Sequence, residues 1–170
     1  MAHNLEGFSL RLATENDVPL LLELIKELAS YENLSHEVRA TTESLKKAIF
    51  ERKIAEAIIA EYQKKPIGLA LYFYNLSTFI GRPGIYLEDL YIRPEYRGRG
   101  YGKAMLSYLA KIAKERDCWG LEWTCLEWNE PSINFYESIG AVMRREWRVF
   151  RLKDQALVDL AGNSRFPVHN

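Results

Sequence analysis

Arg97-Gly98-Arg99-Gly100-Tyr101-Gly102 constrains this chain more than any other stretch, because it joins two segments of different period. Before it, Ile85 to Ile92 is a nearly continuous apolar run closed by Pro94, the pattern of a central strand. After it, Tyr101, Ala104, Met105, Tyr108, Leu109, Ile112 and Ala113 recur at helical spacing, with Lys114 and Arg116 at the end where cations suit the helix dipole. The chain must turn from strand to helix within a few residues. Three glycines in the five positions 98–102 let backbone amides converge there without Cβ obstruction. A helix N-terminus adds N–H donors and positive potential, so the loop suits a phosphate, with Arg97 and Arg99 as countercharge. A plain turn with solvated arginines is the other reading. Two familiar phosphate loops fail: a Walker A loop would need glycine at Arg97 and Ser or Thr at Ala104, and a dinucleotide loop would need glycine at Lys103.

The remaining patterns predict a mixed α/β order led by antiparallel pairing. Phe8 to Leu12 alternates as a short strand, and Thr14 with Asp17 opens a helix whose apolar positions Val18, Leu21, Leu22, Ile25, Leu28 and Ala29 end near Tyr31. Thr42 opens a shorter helical pattern through Leu45, Ala48 and Ile49. Ala57–Ala60 and Ile67–Tyr74 are apolar runs joined by Gln63-Lys64-Lys65-Pro66, a proline-containing turn, and should pair antiparallel. Leu121–Leu126 reads as a strand, Ser132–Ser138 as a short helix, Trp147–Leu152 as a last strand and Asp154–Leu160 as a closing helical turn.

A chain of 170 residues, 48% hydrophobic, fits one domain, placed at 8–160 with flexible tails at 1–7 and 161–170. Lys+Arg and Asp+Glu each number 23, which argues against nucleic acid or an anionic membrane as partner. No apolar run spans a bilayer and MAHNLEGF is not an export signal, so the expected location is cytoplasmic. Cys118 and Cys125 lack metal-site spacing, and His3, His36 and His169 sit in a loop and tails, so no metal is expected.

With those patterns in place, R-G-R-G-Y-G after a strand resembles the (Arg/Gln)-x-x-Gly-x-(Gly/Ala) signature of the GNAT superfamily of N-acetyltransferases. Glu127-Trp128-Asn129-Glu130-Pro131-Ser132-Ile133-Asn134-Phe135-Tyr136 is similar, nearly residue for residue, to the spermidine/spermine acetyltransferases, a subfamily that takes in thialysine acetyltransferases. Leu87-Glu88-Asp89 and the stretch from Ile25 to Glu32 resemble it too. Phe79 stands where those relatives carry tryptophan, and Ala141 to Trp147 is a few residues shorter. The resemblance implies a central, splayed, mostly antiparallel mixed sheet with helices on both faces. It implies acetyl-CoA as co-substrate, with Leu90, Tyr91 and Ile92 along the pantetheine and Arg97, Gly98, Arg99, Gly100, Tyr101, Gly102 and Lys103 at the pyrophosphate. Asn129, Ser132 and Tyr136 would lie alongside. It also implies a homodimer and a small cationic amine as substrate, lined by Tyr31, Glu32, Glu88 and Asp89, and Glu122 and Glu146 are candidates for further negative charge nearby.

Chemically, acetyl transfer to an alkylammonium needs a base, since such a group has a reference pKa of about 10.4. Glu88 is the candidate: it and Asp89 interrupt a strand otherwise apolar on both faces, where carboxylates need a partner, a cleft or a raised pKa. Pairing with Arg93 or Arg97, or a solvent-facing strand end, is the other reading. Tyr136 follows Ile133 and Phe135, where tyrosine is ordinarily core. The resemblance instead implies the general acid that protonates the departing thiolate. The activity so implied is direct acetyl transfer in a ternary complex to a diamine, polyamine or thialysine-like amine. A protein lysine or N-terminal acetyltransferase and a silent acyl-CoA sensor are the alternatives.

Overall fold

Apolar runs long enough to bury both faces of a strand build the centre of this protein. The computed structural model describes residues 5–163. Residues 1–4 and 164–170, with His3, His169 and most of the expected tails, lie outside the described residues. Two compact units divide the chain, one ending at Glu130 and the other beginning at Pro131.

The first unit holds a five-stranded sheet in sequence order: β1 (Phe8–Leu12), β2 (Glu56–Tyr62), β3 (Lys65–Ser77), β4 (Arg82–Ile92) and β5 (Leu121–Trp123). β1 to β4 pair antiparallel, and β5 joins β4 in parallel. The β2–β3 turn is tighter than predicted. Gln63 and Lys64 alone form it, with φ of 49° and 63°, the left-handed pair that matches strand twist. Pro66 sits inside β3 opposite Glu61, beside a register shift at Ala60/Glu61 that relieves the ladder of its missing N–H.

Helix α1 (Val18–Tyr31) follows a 3₁₀ turn at Glu15–Asp17, where the Thr14 N–H and hydroxyl both donate to Asp17. Arg11 grips the same carboxylate through two nitrogens, each at 2.8 Å, and holds it well below the usual carboxylate range. The α1 stripe Leu21 and Leu24 packs with Ala57, Ile59, Leu69, Leu71 and Tyr91 of the sheet. Their strand neighbours Ile58, Ala60, Ala70 and Tyr72 are just as buried, and strand alternation points them to the opposite face. Helix α3 (Tyr101–Glu115) buries Met105, Leu106, Leu109, Ile112 and Ala113, the face read from its spacing. Between α1 and β2, α2 (Thr42–Lys46) begins on a Thr41 cap and widens into a π-helical turn at Lys47–Glu51.

The second unit carries most of α4 (Glu130–Ser138) and all of α5 (Asp154–Gly162), with irregular chain between. Trp147–Leu152, predicted as a last strand, is irregular and exposed, Trp147 to 67% and Phe150 to 93%. Alternation supplies the side chains of a strand but not the neighbour whose N–H and C=O groups complete a ladder. The strand expected at Leu121–Leu126 likewise ends at Trp123, after its third pair with β4.

Candidate functional site

β4 carries the site because its ladder is interrupted on one side and absent on the other. Leu71 of β3 lies opposite Asp89 and Tyr72 opposite Leu87, so Glu88 is an extra residue, a bulge that re-aims the side chains around it. On the far edge, β5 pairs only with Ile85, Tyr86 and Leu87. From Glu88 to Ile92 that edge of β4 has no β5 partner, which leaves peptide groups for an extended ligand chain. Leu90, Tyr91 and Ile92 lie along this edge, held from behind by Ala70, Leu69 and Gly68.

The edge runs into a 3₁₀ turn at Pro94–Tyr96 and then the glycine loop. Gly98 and Gly100 have φ of 74° and 86°, a region that penalises any Cβ. Gly100 caps α3, so the N–H groups of Tyr101, Gly102 and Lys103 start a helix with no carbonyl one turn back. Tyr101 is 4% exposed and its ring stacks on Phe8 at 4.5 Å, so its side chain is committed to the core and not to an anion. Lys103 is exposed. Arg99 folds back, donating to the Glu95 carbonyl at 3.0 Å over the Tyr96 ring. Arg97 donates from Nε to the Ile92 carbonyl at 2.7 Å, and its guanidinium carbon lies 4.3 Å from the Tyr31 ring centre.

At the other end of the edge, the structure gathers Glu32, Glu88 and Asp89. Burial pushes the Asp89 carboxyl up to about 6, helped by the charges of Glu88 and Glu32. Burial also raises Glu32, which follows the last residue of α1. The Cys125 thiol is pushed up by burial and by Glu32, which places it beside this group. Neither arginine neutralises the carboxylates: Arg93 is engaged by Glu23 at 2.5 Å and Glu27 at 2.7 Å, and Arg97 as above. The expectation for Glu88 changes, because it is exposed and the desolvated member of the pair is Asp89. The bulge turns Glu88 outward, which no periodicity in the sequence signals. Glu122 is not among the charges acting on Asp89; it is exposed and accepts a hydrogen bond from Asn75 at 3.1 Å.

Tyr31 joins the two ends. Its hydroxyl donates to Asn129 Oδ1 at 3.1 Å, and its ring lies 5.9 Å from that of Trp128. Asn129 is only 6% exposed, a buried polar side chain with a fixed partner. In the second unit, Ser132 and Tyr136 lie on α4, both half-buried, with the Phe135 and Tyr136 rings 5.4 Å apart. Sequence reading missed the Arg97–Tyr31 stack and the place of Cys125, since neither follows from spacing.

Among the described residues, no group of three or more His, Cys, Asp or Glu could hold a metal ion, and no helix is long and apolar enough to cross a membrane. A sequence model described as the acetyltransferase (GNAT) family matches residues 21–141. A Bos taurus protein named thialysine N-epsilon-acetyltransferase is 36% identical over 90% of this chain and 96% of its own. A Homo sapiens protein named spermidine/spermine N(1)-acetyltransferase-like protein 1 is 34% identical over 93% of this chain and 24% of its own. A solved structure of integron cassette protein VCH_CASS6, from the V. cholerae mobile metagenome, superposes with a TM-score of 0.77. It is 26% identical over 91% of this chain and 98% of that one.

Proposed function

Because this chain belongs to the acetyltransferase (GNAT) family, we propose that it passes acetyl from acetyl-CoA to a primary amine of a small cation: a diamine, a polyamine or a thialysine-like amino acid. The observation that carries this reading is the edge of β4 from Glu88 to Ile92, which β5 leaves unpaired and on which Arg97 takes the Ile92 carbonyl. One strand edge runs from a carboxylate group at its start to an anion-binding loop at its end. An extended thioester arm with amide groups and a terminal pyrophosphate matches that order.

The amide groups of Leu90 and Ile92 would receive the pantetheine, and the backbone N–H groups of the 98–103 loop the pyrophosphate. Acetyl-CoA supplies the activated acyl group when bound; the remaining steps fall to side chains. The substrate ammonium must lose a proton before it can attack, and Glu88, exposed at the bulge, takes it directly or through water. Asp89 and Glu32 hold the cationic substrate, whose charge offsets the desolvation that raises both carboxyls. The amine lone pair attacks the thioester carbonyl carbon; as the tetrahedral intermediate collapses the C–S bond breaks, Tyr136 protonates the thiolate, and the second proton leaving the nitrogen restores the tyrosine through water. Attack is direct, in a ternary complex, with no acyl-enzyme. The reading includes a cytoplasmic homodimer; Trp147, Val149, Phe150, Leu157 and Val158 expose apolar surface that would support self-association.

The experiment is a coenzyme A release assay across putrescine, spermidine, spermine, lysine, thialysine and a lysine peptide. Turnover with the free amines and little with the peptide is expected. Preference for the peptide would transfer the assignment to protein acetylation, and binding without turnover to an acyl-CoA sensor.

A further inference from the structure

Arg97 is expected from its motif to serve the cofactor alone, yet its side chain touches the other half of the site. Its Nε donates to the Ile92 carbonyl at the end of the open β4 edge. Its guanidinium carbon lies over the Tyr31 ring, 4.3 Å from the centre, with the Tyr91 ring centre 5.5 Å away on the sheet. A guanidinium has five N–H donors, so the one committed to Ile92 leaves its two terminal amino groups for a phosphate. Tyr31 in turn is the last residue of α1, next to Glu32, and its hydroxyl is held by the buried Asn129.

The geometry points to Tyr31 as a positioning residue that couples the two substrates: acyl-CoA held on Arg97 orders Tyr31, and through it Glu32, so that each ligand tightens the binding of the other. This inference rests on the proposed function and adds the means by which the two pockets communicate. Arg97 is exposed in the free protein, and its hydrogen bond to Ile92 is made through Nε. A phosphate on its terminal amino groups adds a second anchor to the guanidinium and holds it over Tyr31. The ring is then clamped between Arg97 and the Asn129–Trp128 segment, and the residue beside it carries a carboxylate of the amine pocket. Once one ligand has met the ordering cost, the second no longer does. That is positive coupling, and linkage makes it reciprocal.

The test measures the affinity of the full chain for coenzyme A by calorimetry, alone and with saturating spermidine or, separately, thialysine. In wild type, one or both amines should tighten coenzyme A binding by about 5-fold or more, the lower end of typical coupling. Tyr31→Leu, which keeps bulk but loses ring and hydroxyl, should bring that ratio to about 1. Tyr31→Phe keeps the stack on Arg97 and should retain a measurable part of the ratio. The ratio cancels any uniform change in coenzyme A affinity, which a merely structural lesion would produce. Equal affinity with and without either amine in wild type, or an undiminished ratio in Tyr31→Leu, overturns the coupling and leaves the acetyltransferase reading standing. Failure of coenzyme A itself to bind wild type removes both.

Discussion

The strands of the first unit and the irregular chain of the second began as equally plain patterns, yet only the first became ordered sheet. In β2 and β3, Ile58, Ile59, Ala60, Leu69 and Ala70 are almost wholly buried; each strand has a neighbour on both edges, and α1 packs on the face that carries Ile59 and Leu69. None of residues 131–163 is buried, although Trp147–Leu152 is as apolar as many strands. Burial therefore depends on partners, not on pattern alone. The proposed cofactor track belongs to the unit with the dense core. The proposed acid, Tyr136, belongs to the other.

The comparison is broken most severely at Tyr136. Tyr136→Phe should lower kcat by about 10² to 10⁴, the usual range for a lost general acid, with coenzyme A affinity unchanged. Single-turnover kinetics would check it, and an unchanged kcat would hand the proton to water. Next come paired truncations. Leu24→Ala, at a position with 0% exposure, should cost about 2–5 kcal/mol in denaturant unfolding, whereas Phe150→Ala, at 93% exposure, should stay within about 0.5 kcal/mol. A similar cost for both would mean that the second unit is packed as tightly as the first.

A third prediction concerns Asp89. Its folded pKa of about 6 exceeds the ordinary 3.8, so the free protein loses stability as pH rises between those values and remains on the lower plateau above them. Asp89→Asn removes the ionisation. Its melting temperature should match wild type near pH 3.8 and exceed it at pH 8 by the equivalent of about 2–3 kcal/mol, while amine affinity falls. A variant less stable than wild type at pH 8 would mean that the carboxylate is compensated in the free protein. The smallest effect is expected at Arg97→Ala, which should weaken coenzyme A about tenfold, one charge-assisted contact among several backbone ones.

Much of this architecture was legible in the residues. The α3 stripe from Met105 to Ala113, the β2–β3 hairpin and the strand-to-helix glycine loop all follow from short-range periodicity or from φ-permissive positions, which are local properties. The bulge at Glu88 was not legible, because it arises from register against β3. Its consequence, that burial falls on Asp89, therefore required the fold. The same holds for Arg97 on Tyr31, residues 66 positions apart by number that meet only because β4 ends beside the C-terminus of α1. Pro66 shows the reverse case, in which a turn residue by composition is drawn into a strand by its neighbours.

The central claim is that the open edge of β4 and the loop after it bind acyl-CoA, and it is tested by titrating acetyl-CoA calorimetrically into wild type and Gly100→Val. Gly100 sits at φ 86°, where a β-branched residue distorts the start of α3. Saturable binding to wild type, weakened at least about tenfold in a variant that still melts cooperatively, is the predicted result. No saturable binding to wild type, or equal affinity in the folded variant, would contradict it.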